Sequence, residues 1–157
     1  MSKICCFTGS REMASISRRD LANKLENLIV ELIEKEGYTD FRAGGARGFD
    51  TLAALVVLKL REKYPNIKLH LFLPCKNQEK LFSNQEQHFY RLILQRADTY
   101  FFVQENYSNS AMFARNRALV NGADLCIALP LSAHGGTQYT VGYARKQGVP
   151  IINLKNI

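Results

Sequence analysis

Short apolar runs alternate with helix-period segments along the whole chain, with no linker or low-complexity tract between them. Residues 3–8 read as a buried strand. Leu21, Leu25, Leu28 and Leu32, with Ile29 and Ile33, then repeat at helical spacing up to Gly37, with Ser15 or Ser17 placed to cap the helix and Asp20 in its first turn. The pattern recurs as a strand over 39–43, a helix over 50–63, a strand over 67–73, a helix over 86–96, a strand over 99–103, a helix opened by Ser108 or Ser110 and ended by Asn121-Gly122, a strand over 124–129, a helix over 137–147 and a last strand over 149–154. Strands that are apolar throughout and separated by helices specify a parallel sheet buried on both faces. The expected architecture is a three-layer α/β domain of about six strands with helices on both faces, spanning residues 1–157. Its crossovers should be right-handed and its ligands should sit beyond the carboxyl ends of the strands.

Glycine turns stand at that edge. Phe41-Arg42-Ala43-Gly44-Gly45-Ala46-Arg47-Gly48-Phe49-Asp50 runs from a strand through three glycines into a helix, and related turns occur at Thr8-Gly9-Ser10-Arg11 and Gly135-Gly136-Thr137. Glycine permits close backbone approach, and a helix start offers unpaired N–H groups with partial positive charge, so each turn suits an anion. The spacing matches neither G-x-G-x-x-G nor G-x-x-x-x-G-K-[ST]. The first turn adds the hydroxyls of Thr8 and Ser10 and a guanidinium, Arg11, able to take a phosphate in two parallel bonds. In the second, Asp50 is read foremost as a helix cap and secondarily as a contact to a ribose hydroxyl, and Arg47 as a ligand or interface group. The third sets Thr137 and Thr140 towards the mouth, with His134 just before it. Tyr139 and Phe49 are candidates to stack on a base, and the polar stretch 75–85 is the expected lid or specificity segment. His70 and His88 read as structural or surface residues.

Charge and cysteine usage narrow the partners. With 21 basic and 14 acidic side chains the net charge is +7, which favours anions from a nucleotide phosphate to a nucleic acid, but the basic residues are dispersed and form no polybasic tail. Cys5, Cys6, Cys75 and Cys126 form no C-x-x-C and read as buried reduced thiols, so no metal site is expected. No apolar run is long enough to span a bilayer and no signal-peptide pattern opens the chain, so a cytoplasmic protein without a membrane partner is expected.

In order and spacing, Phe7-Thr8-Gly9-Ser10-Arg11, Gly44-Gly45-Ala46-Arg47-Gly48-Phe49-Asp50 and His134-Gly135-Gly136-Thr137-Gln138-Tyr139-Thr140 resemble the SLOG superfamily of Rossmann-like nucleotide-ligand proteins, and its small stand-alone YspA/YpsA-like branch in particular. That superfamily includes the LOG phosphoribohydrolases and the Rossmann domain of DprA. The resemblance covers essentially the whole chain and implies a Rossmann-like fold, a nucleotide ligand and a homodimer. Met112-Phe113-Ala114-Arg115-Asn116 is similar to the arginine segment of LOG enzymes, which implies that Arg115 contacts a ligand phosphate or ribose. The LOG glutamate falls on Thr140, which has no carboxylate to stabilise an oxocarbenium-like centre. Ala46-Arg47-Gly48-Phe49-Asp50 is similar to a DprA segment instead.

The site expected from these residues joins Thr8, Gly9, Ser10, Arg11, Gly44, Gly45, Ala46, Arg47, Gly48 and Asp50 with Arg115, Gly135, Gly136, Thr137 and Thr140. It would hold a nucleotide or nucleotide-derived ligand, AMP- or ADP-ribose-like, as a binding or sensing module. The alternatives are hydrolysis of a nucleoside-monophosphate N-glycoside and DprA-like binding of single-stranded nucleic acid.

Overall fold

A computed structural model describes residues 2–156. It orders the chain as β1 (Lys3–Gly9), α1 (Arg18–Glu36), β2 (Tyr38–Ala43), α2 (Phe49–Lys63), β3 (Lys68–Leu73), a 3-10 turn (Gln78–Leu81), α3 (Asn84–Arg96), β4 (Thr99–Phe102), α4 (Asn109–Val120), β5 (Leu125–Leu129), α5 (Gly136–Lys146), β6 (Ile151–Asn153) and a closing 3-10 turn (Leu154–Asn156). Every neighbouring strand pair is parallel, in the order β4-β3-β2-β1-β5-β6. The chain winds outward from β1 through β4, then crosses back to lay β5 on the other side of β1. This is the Rossmann-like α/β arrangement, and the crevice where winding reverses lies between β1 and β5.

Period-2 alternation divides the strands between two cores. Cys5 and Phe7 of β1, Phe41 and Ala43 of β2, Leu69, Leu71 and Leu73 of β3, and Leu125, Ile127 and Leu129 of β5 point to one face, where they pack with Leu25, Ile29, Val57, Ile93 and their neighbours from α1, α2 and α3. Cys6 and Cys126 point the other way, to Leu119 and Val120 of α4 and Ala144 of α5. All four cysteines are free and buried. Burial pushes the Cys5 and Cys75 thiols up, and a hydrogen bond with Cys126 followed by burial pushes Cys6 up, so these groups stay neutral thiols.

On the second face the strands carry polar and aromatic groups in place of aliphatic ones. His70 lies between Asp40 and Thr99, 2.7 Å from each. Arg42 stacks on Phe72 and donates Nη1 to the carbonyls of Leu119 and Asn121 at 3.1 and 2.6 Å. A cation on the last carbonyls of a helix complements their partial negative charge. Arg42 therefore pins the C-terminal end of α4, and the turn before it carries Arg115 and Asn116.

Local signals explain where the observed boundaries depart from the expected ones. Ser83 accepts from the Glu86 N–H at 3.2 Å while Glu86 accepts from the Ser83 N–H at 2.8 Å, a capping box that starts α3 at Asn84, earlier than the polar composition suggests. The last strand shortens to Ile151–Asn153 because the Val149 N–H closes the end of α5 on the Ala144 carbonyl and Pro150 has no N–H. Ser17 caps α1 and Ser108 caps α4. Gly48, with φ of 81°, precedes α2, and no side chain caps that helix.

Two positive-φ glycines separate backbone strain from steric clash. A Cβ on Gly37 (φ 75°) would meet nothing within 4 Å, whereas one on Gly48 would press into the backbone of Arg11, 2.7 Å from its carbonyl carbon. Gly37→Ala should therefore cost about 1 kcal/mol of unfolding free energy. Gly48→Ala should cost about 3 kcal/mol or more, because clash adds to strain. Urea unfolding of both variants measures the difference, and equal losses would show that the Arg11 contact is easily relaxed.

Candidate functional site

A cavity of about 550 Å³ opens at the carboxyl ends of β1 and β5, where the winding reverses. Its walls are the end of β1 with the loop after it, the start of α2, the first turns of α4 and the loop leading into α5. A cavity of this size at this place is the usual setting for a small-molecule ligand in an α/β sheet.

Ser10 ties the rim together. Its N–H donates to the Leu129 carbonyl at 3.1 Å, its hydroxyl accepts from the Leu131 N–H at 3.0 Å, and its carbonyl accepts from the Phe49 N–H at 3.1 Å. One residue thus joins β1, the loop after β5 and the start of α2. Leucine and phenylalanine cores hold the strands, and this knot sets their loops around the cavity.

Four polar side chains form the floor, and each is more than nine-tenths buried: Thr8, Asp50, Arg115 and Asn116. Asp50 sits in the first turn of α2 but does not cap it; Oδ2 accepts from the Ala46 N–H at 3.2 Å. Arg115 donates Nε to Asn116 Oδ1 at 2.8 Å and Nη1 to the Gly44 carbonyl. Among the described residues no hydrogen bond takes up Asp50 Oδ1, Arg115 Nη2, Asn116 Nδ2 or the Thr8 hydroxyl, and none of these atoms is sealed from the cavity. Burial pushes the Asp50 carboxyl up, opposed by the Arg115 guanidinium, the Ala46 N–H and Arg11. Burial likewise lowers the Arg115 guanidinium, opposed by Asp50. Each charge thus favours the charged form of the other.

The N-terminus of α5 forms one wall. Gly135, with φ of 106°, precedes it and no side chain caps it, while Gly136 and Thr137 border the cavity. Unpaired N–H groups and the helix dipole make this wall receptive to an anion. Arg11 and His134 stand exposed at the rim.

The structure brings Thr8, Gly9, Ser10, Arg11, Ala46, Asp50, Arg115, Gly136 and Thr137 to the cavity. It places the other expected residues elsewhere. Gly44 backs onto Arg115 and Asp50, where a Cβ would stand 2.7 Å from Nη1 and 2.9 Å from Oδ2, so its bareness admits those side chains rather than a ligand. Gly45 packs on Leu73 and Gly48 on the Arg11 backbone. Gly135 only leads into α5. Arg47 does not line the cavity but pairs with Glu12, which does, at 2.7 Å, with Glu86 at 3.9 Å. Thr140 is 1% exposed and donates its hydroxyl to the Gly136 carbonyl at 2.8 Å, so it faces its own helix and not the mouth. Phe49 lies in the core against Phe7, and Tyr139 accepts from Arg117 while its ring meets Phe113. The stretch 75–85 does not border the cavity.

Residues without a sequence signal of their own complete the site. Asn116 follows Arg115 and looks like any helical asparagine until the fold turns Nδ2 towards Gly136. Phe113, 38% exposed, and Tyr107, 60% exposed, border the cavity where planar groups would be stacked on. Their signal was exposure of large aromatic rings, which only coordinates reveal. Among the described residues no group of three or more His, Cys, Asp or Glu is placed to hold a metal ion, and no helix is long and apolar enough to cross a membrane.

Comparison with known proteins agrees with this architecture. The model of the YspA SLOG family matches residues 2–148. The prophage-derived protein YoqJ of Bacillus subtilis is 31% identical over 138 residues, covering 80% of this chain and 81% of that protein. A UPF0398 protein of Bacillus licheniformis is 30% identical over 125 residues, covering 78% of this chain and 68% of that protein. Among solved structures, DNA processing protein A of Helicobacter pylori, described for its single-stranded DNA binding mode, superposes with a TM-score of 0.69 at 18% identity, over 96% of this chain and 64% of that one. DNA processing protein A of Streptococcus pneumoniae gives 0.69 at 17% identity, over 97% of this chain and 50% of that one. At such identities the likeness is one of fold, and the chain spans between half and two-thirds of those two proteins' length.

The raised Asp50 carboxyl has a consequence for stability. An unfolded aspartate titrates near about 3.9. The folded protein holds the Asp50 proton more tightly, so folding loses stability as pH rises from that value through the folded one, and the loss is then constant. Asp50→Asn cannot titrate. Its unfolding free energy relative to the parent should therefore improve from pH 4 to pH 7, as read by urea unfolding at several pH values; a difference that worsens with pH would mean that Arg115 dominates over burial.

Proposed function

The chain belongs to the YspA SLOG family, and on that premise we propose that it binds a nucleotide or nucleotide-derived phosphorylated small molecule in the cavity between β1 and β5, as a binding or sensing module. The observation that carries this reading is the floor of four buried polar side chains with unfilled hydrogen-bonding capacity, set below an uncapped helix N-terminus. Buried polar groups of this kind are costly unless something bonds them, and a polar ligand does so.

The parts divide by chemistry. The N–H groups at Gly136 and Thr137, with the exposed guanidinium of Arg11 at the rim, suit a phosphate. Phe113 and Tyr107 offer faces for a base. Binding without turnover is favoured by Thr140, whose hydroxyl is bonded within α5, so that no carboxylate stands there to support glycosidic cleavage.

A second reading, single-stranded nucleic acid at the same mouth, draws on the fold shared with DNA processing protein A, on the net charge of +7 and on the exposed Tyr107 and Phe113. The two differ in salt dependence. Contacts to a chain of phosphates weaken steeply with salt, while one nucleotide in a cavity is much less sensitive.

Thermal-shift titration with nucleoside monophosphates, nucleoside diphosphates, ADP-ribose and short single-stranded DNA, with product analysis of each hit, tests the reading. A small nucleotide should raise the melting temperature and be recovered intact, at a concentration of about a hundred times its dissociation constant adding about 2.7 kcal/mol. Arg11→Ala should weaken that nucleotide about tenfold while leaving the melting temperature of the unliganded protein unchanged, because Arg11 is exposed. Stabilisation by DNA alone, with steep salt dependence, would replace this reading with the second, and release of free base would replace binding with hydrolysis.

A further inference from the structure

A line of hydrogen bonds crosses β2, β3 and β4 on the second face of the sheet, and none of its members borders the cavity. Thr39 donates its hydroxyl to Asp40 Oδ1 at 2.6 Å, Asp40 Oδ2 lies 2.7 Å from His70 Nε2, and His70 Nδ1 lies 2.7 Å from Thr99 Oγ1. Burial pushes the Asp40 carboxyl up, but the bonds from Thr39 and His70 and the charge of Lys68 outweigh burial and hold it below its ordinary value. An ionised carboxylate only accepts, so in the neutral imidazole the proton sits on Nε2 and Nδ1 is left to accept from the Thr99 hydroxyl. Thr99 itself is exposed at the first position of the edge strand. A hydroxyl, a base within hydrogen-bond reach and a third group that orients the base are the arrangement that activates a nucleophile. Beside it, two residues further along β3 and β4, the rings of Phe72 and Phe101 lie 4.7 Å apart, and Phe101 is 45% exposed. Alternation along a strand puts these rings on the same face as His70 and Thr99, where they form an apolar ledge next to the hydroxyl.

We propose that Thr99 is a nucleophile that accepts an acyl group from an activated ester, with His70 as its base and Asp40 as the residue that positions that base. Thr99 Oγ attacks the ester carbonyl carbon while its proton passes to His70 Nδ1. The carbon–oxygen bond to the leaving group then breaks, and the proton follows the departing oxygen or, where that oxygen leaves as a stable phenolate, passes to water. The products are an ester of Thr99 and the free alcohol or phenolate, with no change of oxidation state. The apolar part of the donor rests on the Phe72 and Phe101 rings. This centre is separate from the cavity between β1 and β5 and does not depend on what that cavity binds.

Incubation of the purified chain with p-nitrophenyl acetate at pH about 8, followed by peptide mapping in the mass spectrometer, tests the proposal. Thr99 should be acetylated at least about tenfold faster than Ser110, an exposed hydroxyl whose partner is Ser108 and not an imidazole. In His70→Asn the rate at Thr99 should fall to that at Ser110, while lysine acetylation stays as in the parent. A smaller ratio of Thr99 to Ser110 in the parent would overturn the proposal by leaving the line of hydrogen bonds a structural one, and that comparison needs no variant. A His70→Asn chain that melts like the parent and still labels Thr99 at the parental rate would overturn it too. So would an acetyl group recovered on His70 in place of Thr99, which would make the imidazole itself the nucleophile.

Discussion

The buried guanidinium of Arg115 is the constraint around which the carboxyl edge of the sheet is arranged. It is 4% exposed in a region that also holds a buried carboxylate, and an uncompensated charge in such a place would cost several kcal/mol. Compensation comes from three elements that are far apart in sequence: the Gly44 carbonyl after β2, Asn116 on α4 itself and the field of Asp50 at the start of α2. Gly44 must lack a Cβ for the guanidinium to reach its carbonyl. Arg42 in turn holds the end of α4 through its last carbonyls, which fixes the helix that carries Arg115. What remains after this mutual satisfaction is a set of donors and acceptors directed at the cavity.

A division of labour among the three glycine turns follows from the same packing. The turn after β1 and the turn before α5 both border the cavity, the first through Thr8, Ser10 and Arg11 and the second through Gly136 and Thr137. The central turn, richest in glycine, mainly lets backbone and side chains approach one another, with Gly45 on Leu73 and Gly48 on Arg11. Arg47 within it closes an ion pair with Glu12, which itself borders the cavity. A glycine-rich strand-to-helix turn has two physical uses, admitting a ligand and admitting the protein itself, and here the second takes most of the residues.

Much of the fold was legible before any coordinates. Strands that are apolar throughout have to be covered on both faces, and amphipathic helices between them have to do the covering, so the parallel three-layer sheet follows from the pattern. The boundary errors came from short-range polar chemistry that periodicity does not see, such as the Ser83–Glu86 capping box and the Val149 N–H turned back on α5. Around the cavity, the motifs fall on loops that border it but do not separate residues that face the cavity from neighbours that face the core. Thr137 and Thr140 illustrate this: they differ by less than one helical turn, yet one borders the cavity and the other bonds its own helix. Phe113 and Asn116 lay in the segment read for Arg115 alone and Tyr107 in no motif, because what marks them is where α4 lies.

By itself, then, the sequence determined the layer architecture, the edge at which a ligand would sit and the polar chemistry present there, since hydrophobic period and turn residues are local properties of the chain. Which polar groups are left unsatisfied was decided only by tertiary structure. Asp50 is separated from Arg115 by 64 intervening positions in the chain, and Thr8 is farther still. Hydrogen-bonding capacity is consumed by whichever partner the fold brings within reach, so the remainder that faces the cavity is a property of the packed whole.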